Sequence, residues 1–354
     1  MNVIIVGAGL SGICIAHELE KHNIPYQIID KNKNYSTRVA GGMINPMTFR
    51  RMIKTWKGDE LLPTIAKYYP EIEKKVGERF FFPIKIRRIF STPEEQTMWE
   101  EKVDDNSYLS YLSSINKPEE TPPYITNKFG NGFVKTPGYI ESKTFLISNQ
   151  KYFKNKNTLI NADFDYQALD TERRTYQGKS YTHLIFAEGF EGENNPYFNY
   201  LPFKNAKGET LTIQSRVINR DEILNRKCFI LPTQDGNFRL GSTYSWGTKD
   251  PSPTEAAKEE LINNYLDLSS AAMEILNHQA GIRPTAMDRR PMIGEHPEHK
   301  GLYIFNGMGA KGFMIAPYFA IQFVKFLQGK EELEKEVDIK RFYTRFYQKG
   351  RSLS

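Results

Sequence analysis

Two hydrophobic rhythms alternate along the chain. Val3–Val6 is an unbroken apolar run, the pattern of a parallel strand buried on both faces. Ile13, Ala16 and Leu19 then repeat at helical spacing through Lys21, and Tyr26–Asp30 reads as a second strand. Together they predict one β-α-β unit of about 30 residues. Residues 80–92, 124–140 and 207–247 follow the other rhythm, alternating apolar and polar positions with Gly and Pro between them. That pattern predicts antiparallel strands of a sheet with one wet face. Residues 94–115 predict a mixed helical excursion, 141–156 a polar helix, and 158–185 short strands ending in His183-Leu184-Ile185-Phe186. Residues 254–268 predict a helix opening at Thr254, 310–329 a strongly apolar helix stopped by Gly329, and the charged tail to Ser354 a surface helix. The chain thus switches from α/β to β-rich and back twice, which predicts an α/β + β architecture.

One phrase occurs near both ends. Gly7-Ala8-Gly9-Leu10-Ser11-Gly12 follows the first strand, and Gly307-Met308-Gly309-Ala310-Lys311-Gly312 follows the apolar run Leu302–Asn306. A glycine-rich turn feeding a helix start gathers free backbone N–H groups and the positive end of the helix dipole, a natural seat for an anion. The first copy has a full dinucleotide-binding context of strand, glycines, helix, second strand and acid. Gly7 allows the turn, Gly9 lets a pyrophosphate approach the backbone, and Gly12 lets helix and strand pack closely. Asp30 stands eighteen positions after Gly12, where an acid meets a ribose hydroxyl. An acid there favours NAD or FAD over NADP. The second copy runs into one long helix with no second strand behind it. It is expected to aim a helix start at a cofactor already bound by the first.

Composition narrows the class. The chain has 354 residues, 39% hydrophobic and 25% charged, as expected of a globular protein with a sizeable core and two domains. A net charge of +6 permits an acidic substrate or a nucleic-acid contact without requiring either. Cys14 and Cys228 are far apart and form no C-x-x-C, so neither a disulfide scaffold nor a zinc site is expected. His296 and His299 flank Pro297 in a turn, the six histidines form no cluster, and no G-x-S-x-G elbow occurs, so no metal site or serine hydrolase is expected. With no apolar run of membrane-spanning length and no charged leader before Val3, the expected location is cytoplasmic.

Between the glycine phrases, Ser36-Thr37-Arg38-Val39-Ala40-Gly41-Gly42-Met43-Ile44-Asn45-Pro46 resembles the flavin-facing loop of the FAD-dependent D-amino-acid oxidase superfamily, which includes glycine and sarcosine oxidases. His183–Gly189, Lys207-Gly208-Glu209, Leu240-Gly241-Ser242-Thr243-Tyr244 and Gly281-Ile282-Arg283-Pro284 through Gly294 extend the resemblance, in family order, over nearly the whole chain. Glu188 replaces the family's usual threonine. The resemblance implies a discontinuous Rossmann-like FAD domain (1–80, 136–206 and 266–354) and an antiparallel-sheet substrate domain (81–135 and 207–265). It implies one FAD, held non-covalently because no cysteine follows Cys228. Its contacts would be Gly7, Ala8, Gly9, Leu10, Ser11, Gly12, Asp30 and Lys31. Ser36, Thr37, Arg38, Ala40, Gly41, Gly42, Met43, Asn45 and Phe164 would follow. Ala187, Glu188, Gly189, Arg283 and the run Met308, Gly309, Ala310, Lys311 and Gly312 would complete the set.

The resemblance further implies hydride transfer from a small carboxylate-bearing amine to the flavin, with oxygen or another acceptor taking the electrons. Arg283 would hold the carboxylate, or else form a structural ion pair with Asp288. Tyr244 would seat the substrate. Arg239 falls near the position of an oxygen-activating lysine in sarcosine oxidases. The segments 281–297 and 307–312 also resemble the oxidase half of the bifunctional enzymes that mature a tRNA wobble uridine, whose substrate carries a glycine-like secondary amine. That makes tRNA a candidate partner. The other classes left open are a non-catalytic flavin-binding protein and an NAD-linked dehydrogenase.

Overall fold

The computed structural model describes residues 1–33, 35–135, 137–248 and 250–348. Its first sheet has six strands in the order Leu159–Asn161, Tyr26–Asp30, Val3–Val6, His183–Phe186, Leu302–Asn306 and Met292–Glu295. Every neighbouring pair is parallel except the last, where Met292–Glu295 runs antiparallel to Leu302–Asn306. Val3–Val6 is buried along its whole length, as expected of a strand covered on both faces. The helices Leu10–Lys21 and Gly312–Leu327 pack together on one face, with Gly58–Val76 against the second. The strands after which the two glycine phrases turn are thus separated only by His183–Phe186. Both turns open on the same end of the sheet.

The second sheet has nine strands. Its long central member, Ala206–Gln214, pairs with Phe238–Gly241 and Ser245–Trp246 on one side and Glu274–Arg283 on the other. The order continues through Phe229–Pro232, Glu222–Asn225, Lys85–Ile89, Asn131–Val134 and Leu112–Asn116. One pair departs from the antiparallel pattern expected of this region: Glu222–Asn225 runs parallel to Lys85–Ile89. Buried side chains bridge that pair, Arg87 donating to Glu222 through Nε at 2.8 Å and Nη2 at 3.0 Å. Glu274–Arg283 lies in this sheet although the sequence grouped 266–354 with the cofactor domain. The helix Glu255–Leu268 opens as expected at Thr254, whose hydroxyl accepts from the Ala257 amide at 3.4 Å.

The charged tail differs from its expected surface helix. Asp338 caps a short 3-10 turn at Ile339–Phe342, followed by a π turn at Tyr343–Gln348. Residues 349–354 of that tail lie outside the described residues. Among the described residues, no helix is long and apolar enough to cross a membrane.

Candidate functional site

A cavity of about 780 Å³ lies where the two sheets meet, with walls drawn from both. Its floor begins at the first glycine turn. Gly7 has φ +108°, and a Cβ there would stand 2.5 Å from the Ala187 carbonyl oxygen of the neighbouring strand end. A Cβ on Gly12 would overlap the Gly7 carbonyl, so glycine at 12 lets the helix seat on the turn. Gly7, Gly9, Leu10 and Ser11 line the cavity. The first turn of this helix has no side-chain cap of its own, and the Leu10 amide donates to Thr37 Oγ1 at 3.1 Å. The exposed N–H groups and the dipole of a twelve-residue helix therefore face the cavity.

Not every expected residue reaches the wall. Ala8 and Gly12 stand behind it. The Ala8 amide donates to Asp30 Oδ2 at 2.6 Å, so Ala8 positions the acid rather than facing a ligand. Asp30 also accepts from the Asn32 amide and lines the cavity, holding the turn and presenting an edge to it at once. Arg38 likewise lies outside the wall, because its short helix, Tyr35–Val39, turns residues 36, 37 and 39 inward. Lys31 lines the cavity in an ion pair with Glu191, and Phe164 lies beside Tyr166 on the same side.

The loop from 40 to 45 crosses to the second sheet. A Cβ on Gly41 would stand 2.8 Å from the Phe229 ring, and Gly42, at φ +67°, lies against the Ile140 carbonyl where no side chain fits. Ala40, Gly41, Gly42, Met43 and Asn45 all line the cavity. Arg239 braces this loop from behind. It donates to the Ala40 carbonyl and to Ser142 Oγ at 3.1 Å and pairs with Glu141 at 3.6 Å, and it does not reach the wall. This removes it from the oxygen-activating position suggested by its place in the sequence.

The far wall comes from the second glycine phrase. Met308, Gly309, Ala310, Lys311 and Gly312 line the cavity, and Gly312 packs against Leu10, so the two helix starts meet. Lys311 donates through Nζ to the carbonyls of Asn45 and Met47, both at 2.9 Å, and to Thr55 Oγ1. It therefore staples the phrase to the 40–55 loop. Among the described residues no carboxylate offsets its burial, which pulls the ammonium down to about 7. Between that value and the ordinary lysine range near about 10.4 the unfolded chain holds more protons than the folded one. The flavin-free protein is expected to gain stability as pH rises through this window and to lose it as pH falls toward 7. Urea midpoints across the range would show the slope, and Lys311→Met should flatten it.

Arg283 ends the strand Glu274–Arg283 and lines the cavity from the second sheet. Its Nη2 donates to Ser242 Oγ at 2.9 Å and the Thr243 carbonyl at 3.2 Å, and its Nη1 to the Lys207 carbonyl at 3.1 Å. The guanidinium lies 4.8 Å over the Tyr244 ring. Three of its five N–H donors are engaged by neutral acceptors, which leaves two for an anion in the cavity it lines. Burial draws it below the usual arginine range, and no carboxylate faces it among the described residues. Asp288, the candidate structural partner, pairs instead with Arg341 at 2.8 Å.

Glu188 is the largest departure inside the wall. Tyr166 donates to its Oε1 and Asn195 to its Oε2 at 2.7 Å, and burial raises its carboxyl above the ordinary range. Ala187 and Gly189 flank it on the wall. The sequence reading did not foresee Tyr166, Phe229, Gly208 or Ser242 as lining residues. Of these, Ser242 and Gly208 lay inside motifs already singled out, whereas Phe229 and Tyr166 carried no local signal.

A glycine cradle over a helix start, an acid at the end of the second strand and a second sheet that offers an arginine without a carboxylate partner among the described residues define a dinucleotide-binding cavity with a second wall. The chain belongs to the DAO family of FAD dependent oxidoreductases, whose profile matches residues 2–324. The glycine oxidase of Bacillus subtilis (strain 168) is 22% identical over 342 residues, covering 89% of this chain and 90% of that protein. The tRNA 5-methylaminomethyl-2-thiouridine biosynthesis bifunctional protein MnmC of Marinobacter nauticus is 21% identical over 350 residues, 90% of this chain but 54% of that protein. Among solved structures, glycine oxidase from Geobacillus kaustophilus superposes with a TM-score of 0.80 at 19% identity, covering 96% of this chain and 97% of that one. The cofactor is FAD, and the Gly7–Ser11 cradle, which admits no Cβ at Gly7, fits its pyrophosphate.

Proposed function

We propose that this protein oxidises the C–N bond of a small amine bearing a carboxylate, an amino acid or N-substituted glycine, using one non-covalently held FAD. The observation that carries this reading is Arg283, a cation in the cavity wall with two donors to spare and, among the described residues, no carboxylate partner. A planar fork of this kind suits a carboxylate. FAD, when bound, supplies the hydride acceptor.

The chain's own residues supply position and charge. Arg283 anchors the carboxylate, and Tyr244 beneath it holds the guanidinium plane. Gly9 and Ser11 would present N–H groups to the pyrophosphate, and Asp30 would face a ribose hydroxyl. Gly41 and Gly42 leave room for a flat ring system, and the start of the helix Gly312–Leu327, which Lys311 staples to the carbonyls of Asn45 and Met47, would turn its positive end toward that ring and favour added negative charge there. No general base is assigned, because orientation and exclusion of water serve hydride transfer from a neutral amine.

The purified protein should be yellow, release its flavin on denaturation, and bleach when a carboxylate-bearing amine is added without oxygen. A yellow protein that no amine bleaches would favour a binding role. Gly208→Ala gives a finer check. A Cβ there would overlap the Arg283 guanidinium, so the variant should keep its flavin yet lose about tenfold in kcat/KM through a displaced fork. A second reading places the same amine on a tRNA wobble uridine, with support in the resemblance to MnmC. It predicts tRNA binding that falls steeply with added salt.

A further inference from the structure

Lys207-Gly208-Glu209 puts a glycine on the cavity side of its strand and two charged side chains on the other. A Cβ on Gly208 would meet the Arg283 guanidinium, so strand alternation sends Lys207 and Glu209 to the opposite face. Each is only 3% exposed. Lys207 Nζ stands 3.2 Å from Glu209 Oε1 and donates to the Ser252 carbonyl. Glu209 also accepts from the Thr254 amide at 2.8 Å and the Thr254 hydroxyl at 2.9 Å, and His278 Nε2 stands 2.9 Å from its Oε2. The Glu209 backbone is engaged twice more: its amide donates to Thr243 Oγ1 at 3.0 Å, and its carbonyl accepts from the Thr243 amide at 3.2 Å.

These partners lie on the segments that build the Arg283 station. His278 stands five residues before Arg283 on the same strand. Thr243 sits between Ser242 and Tyr244, and its own carbonyl takes one guanidinium donor. Lys207 lends its carbonyl to another. Capping the helix Glu255–Leu268 needs only Thr254, so a buried carboxylate that also reaches Lys207 and His278 exceeds what a cap requires. A buried ion pair is often no more stabilising than apolar side chains of the same volume; what it can fix is geometry.

We propose that Glu209 is a positioning residue for the substrate carboxylate. It does not line the cavity, and from behind the sheet it locks together the three segments that aim the Arg283 fork. The inference rests on Arg283 as the carboxylate anchor, yet the two can fail separately.

The test titrates propionate, a carboxylate without the amine, against the flavin absorbance of the holoprotein. Glu209→Gln should weaken propionate about tenfold, and should raise KM by the same factor for any amine that bleaches the flavin, with kcat within about threefold. His278→Ala and Thr254→Ala each release one segment and should each weaken propionate about threefold. Leu261, fully buried under the same helix, supplies the control: Leu261→Ala should lower the unfolding temperature and leave propionate affinity within about twofold of the parent. Flavin content should be parental throughout. A flavin-replete Glu209→Gln that binds propionate within about twofold of the parent overturns the proposal. So does Leu261→Ala weakening propionate as much as Glu209→Gln does. If Glu209→Gln fails to fold, parental propionate affinity in both His278→Ala and Thr254→Ala overturns it. Arg283→Ala separates the two readings. If it binds propionate as the parent does, the carboxylate reading of the cavity falls and takes this one with it. If Arg283→Ala is weakened while Glu209→Gln is not, Glu209 alone loses its role.

Discussion

Arg283→Ala is expected to lower kcat/KM for a carboxylate-bearing amine by two to three orders of magnitude while the protein remains yellow. Removing one partner of a desolvated charge pair costs about 2–5 kcal/mol, roughly 30-fold to a few thousand-fold in the constant it governs. Because the carboxylate is anchored before and during hydride transfer, most of the loss should appear as a raised KM, with a smaller fall in kcat from poorer aim. Arg283→Lys keeps the charge but not the fork and should recover only part of the loss. The alanine variant also strips donors from Ser242 and from the carbonyls of Lys207 and Thr243. Flavin retention and thermal unfolding therefore need to accompany the kinetics. An alanine variant with full flavin and kcat/KM within about threefold of the parent would remove Arg283 from the substrate site.

Gly12→Ala is expected to yield a largely colourless protein. A Cβ at this position would overlap the Gly7 carbonyl, which is backbone and cannot rotate away. The helix Leu10–Lys21 must then lift from the turn, spoiling the N–H cradle and the Gly7–Ala187 approach together. Overpacking of this kind costs about 1–3 kcal/mol. If most of it falls on the flavin-binding conformation, FAD affinity drops by roughly 5- to 150-fold. Flavin-to-protein absorbance ratios after purification, and FAD titration of the stripped variant, measure this directly. Gly77→Ala is a suitable control, since its Cβ would meet nothing within 4 Å, although its φ of +74° makes it strained on its own account. A Gly12→Ala protein with parental flavin content would show that helix and turn have slack that their spacing does not suggest.

Much of this was legible in local sequence because the chemistry sits on backbone. A pyrophosphate cradle needs absent Cβ atoms at fixed spacing, and Gly7, Gly9 and Gly12 record that requirement openly. The apolar run Val3–Val6 records a strand covered on both faces, whereas the alternation after residue 206 misleads: Ala206 through Leu211 and Phe238–Gly241 are buried without a break, so the face expected to be wet is covered by the cofactor domain. The role of Arg239 was not legible. It shares the cavity-facing side of its strand with Gly241, but its guanidinium is drawn behind the wall by Ala40, Ser142 and Glu141, partners far away in sequence. Ala8 was misread for a related reason: its amide points to Asp30, a partner twenty-two residues away that no local pattern reveals. Nor could periodicity show the parallel pairing of Glu222–Asn225 with Lys85–Ile89, a long-range match between strands that each alternate normally. The tail failed differently. Its charge pattern suits a helix, yet its aromatic residues, among them Tyr347 set edge-to-face on Tyr200 at 4.8 Å, tie it down in tighter and looser turns.

The central claim is that one FAD and one arginine in a shared cavity act on an amine because of its carboxylate. Paired anaerobic titrations of the holoprotein test it most directly, comparing each amine with its counterpart lacking the carboxylate, for example glycine against methylamine and N-methylglycine against dimethylamine, with modified nucleosides bearing a glycine-like amine alongside. The account predicts that at least one carboxylate-bearing amine bleaches the flavin absorbance at a rate that its partner fails to match by about a hundredfold. Bleaching that is indifferent to the carboxylate, or a flavin that stays yellow with every amine, would contradict it.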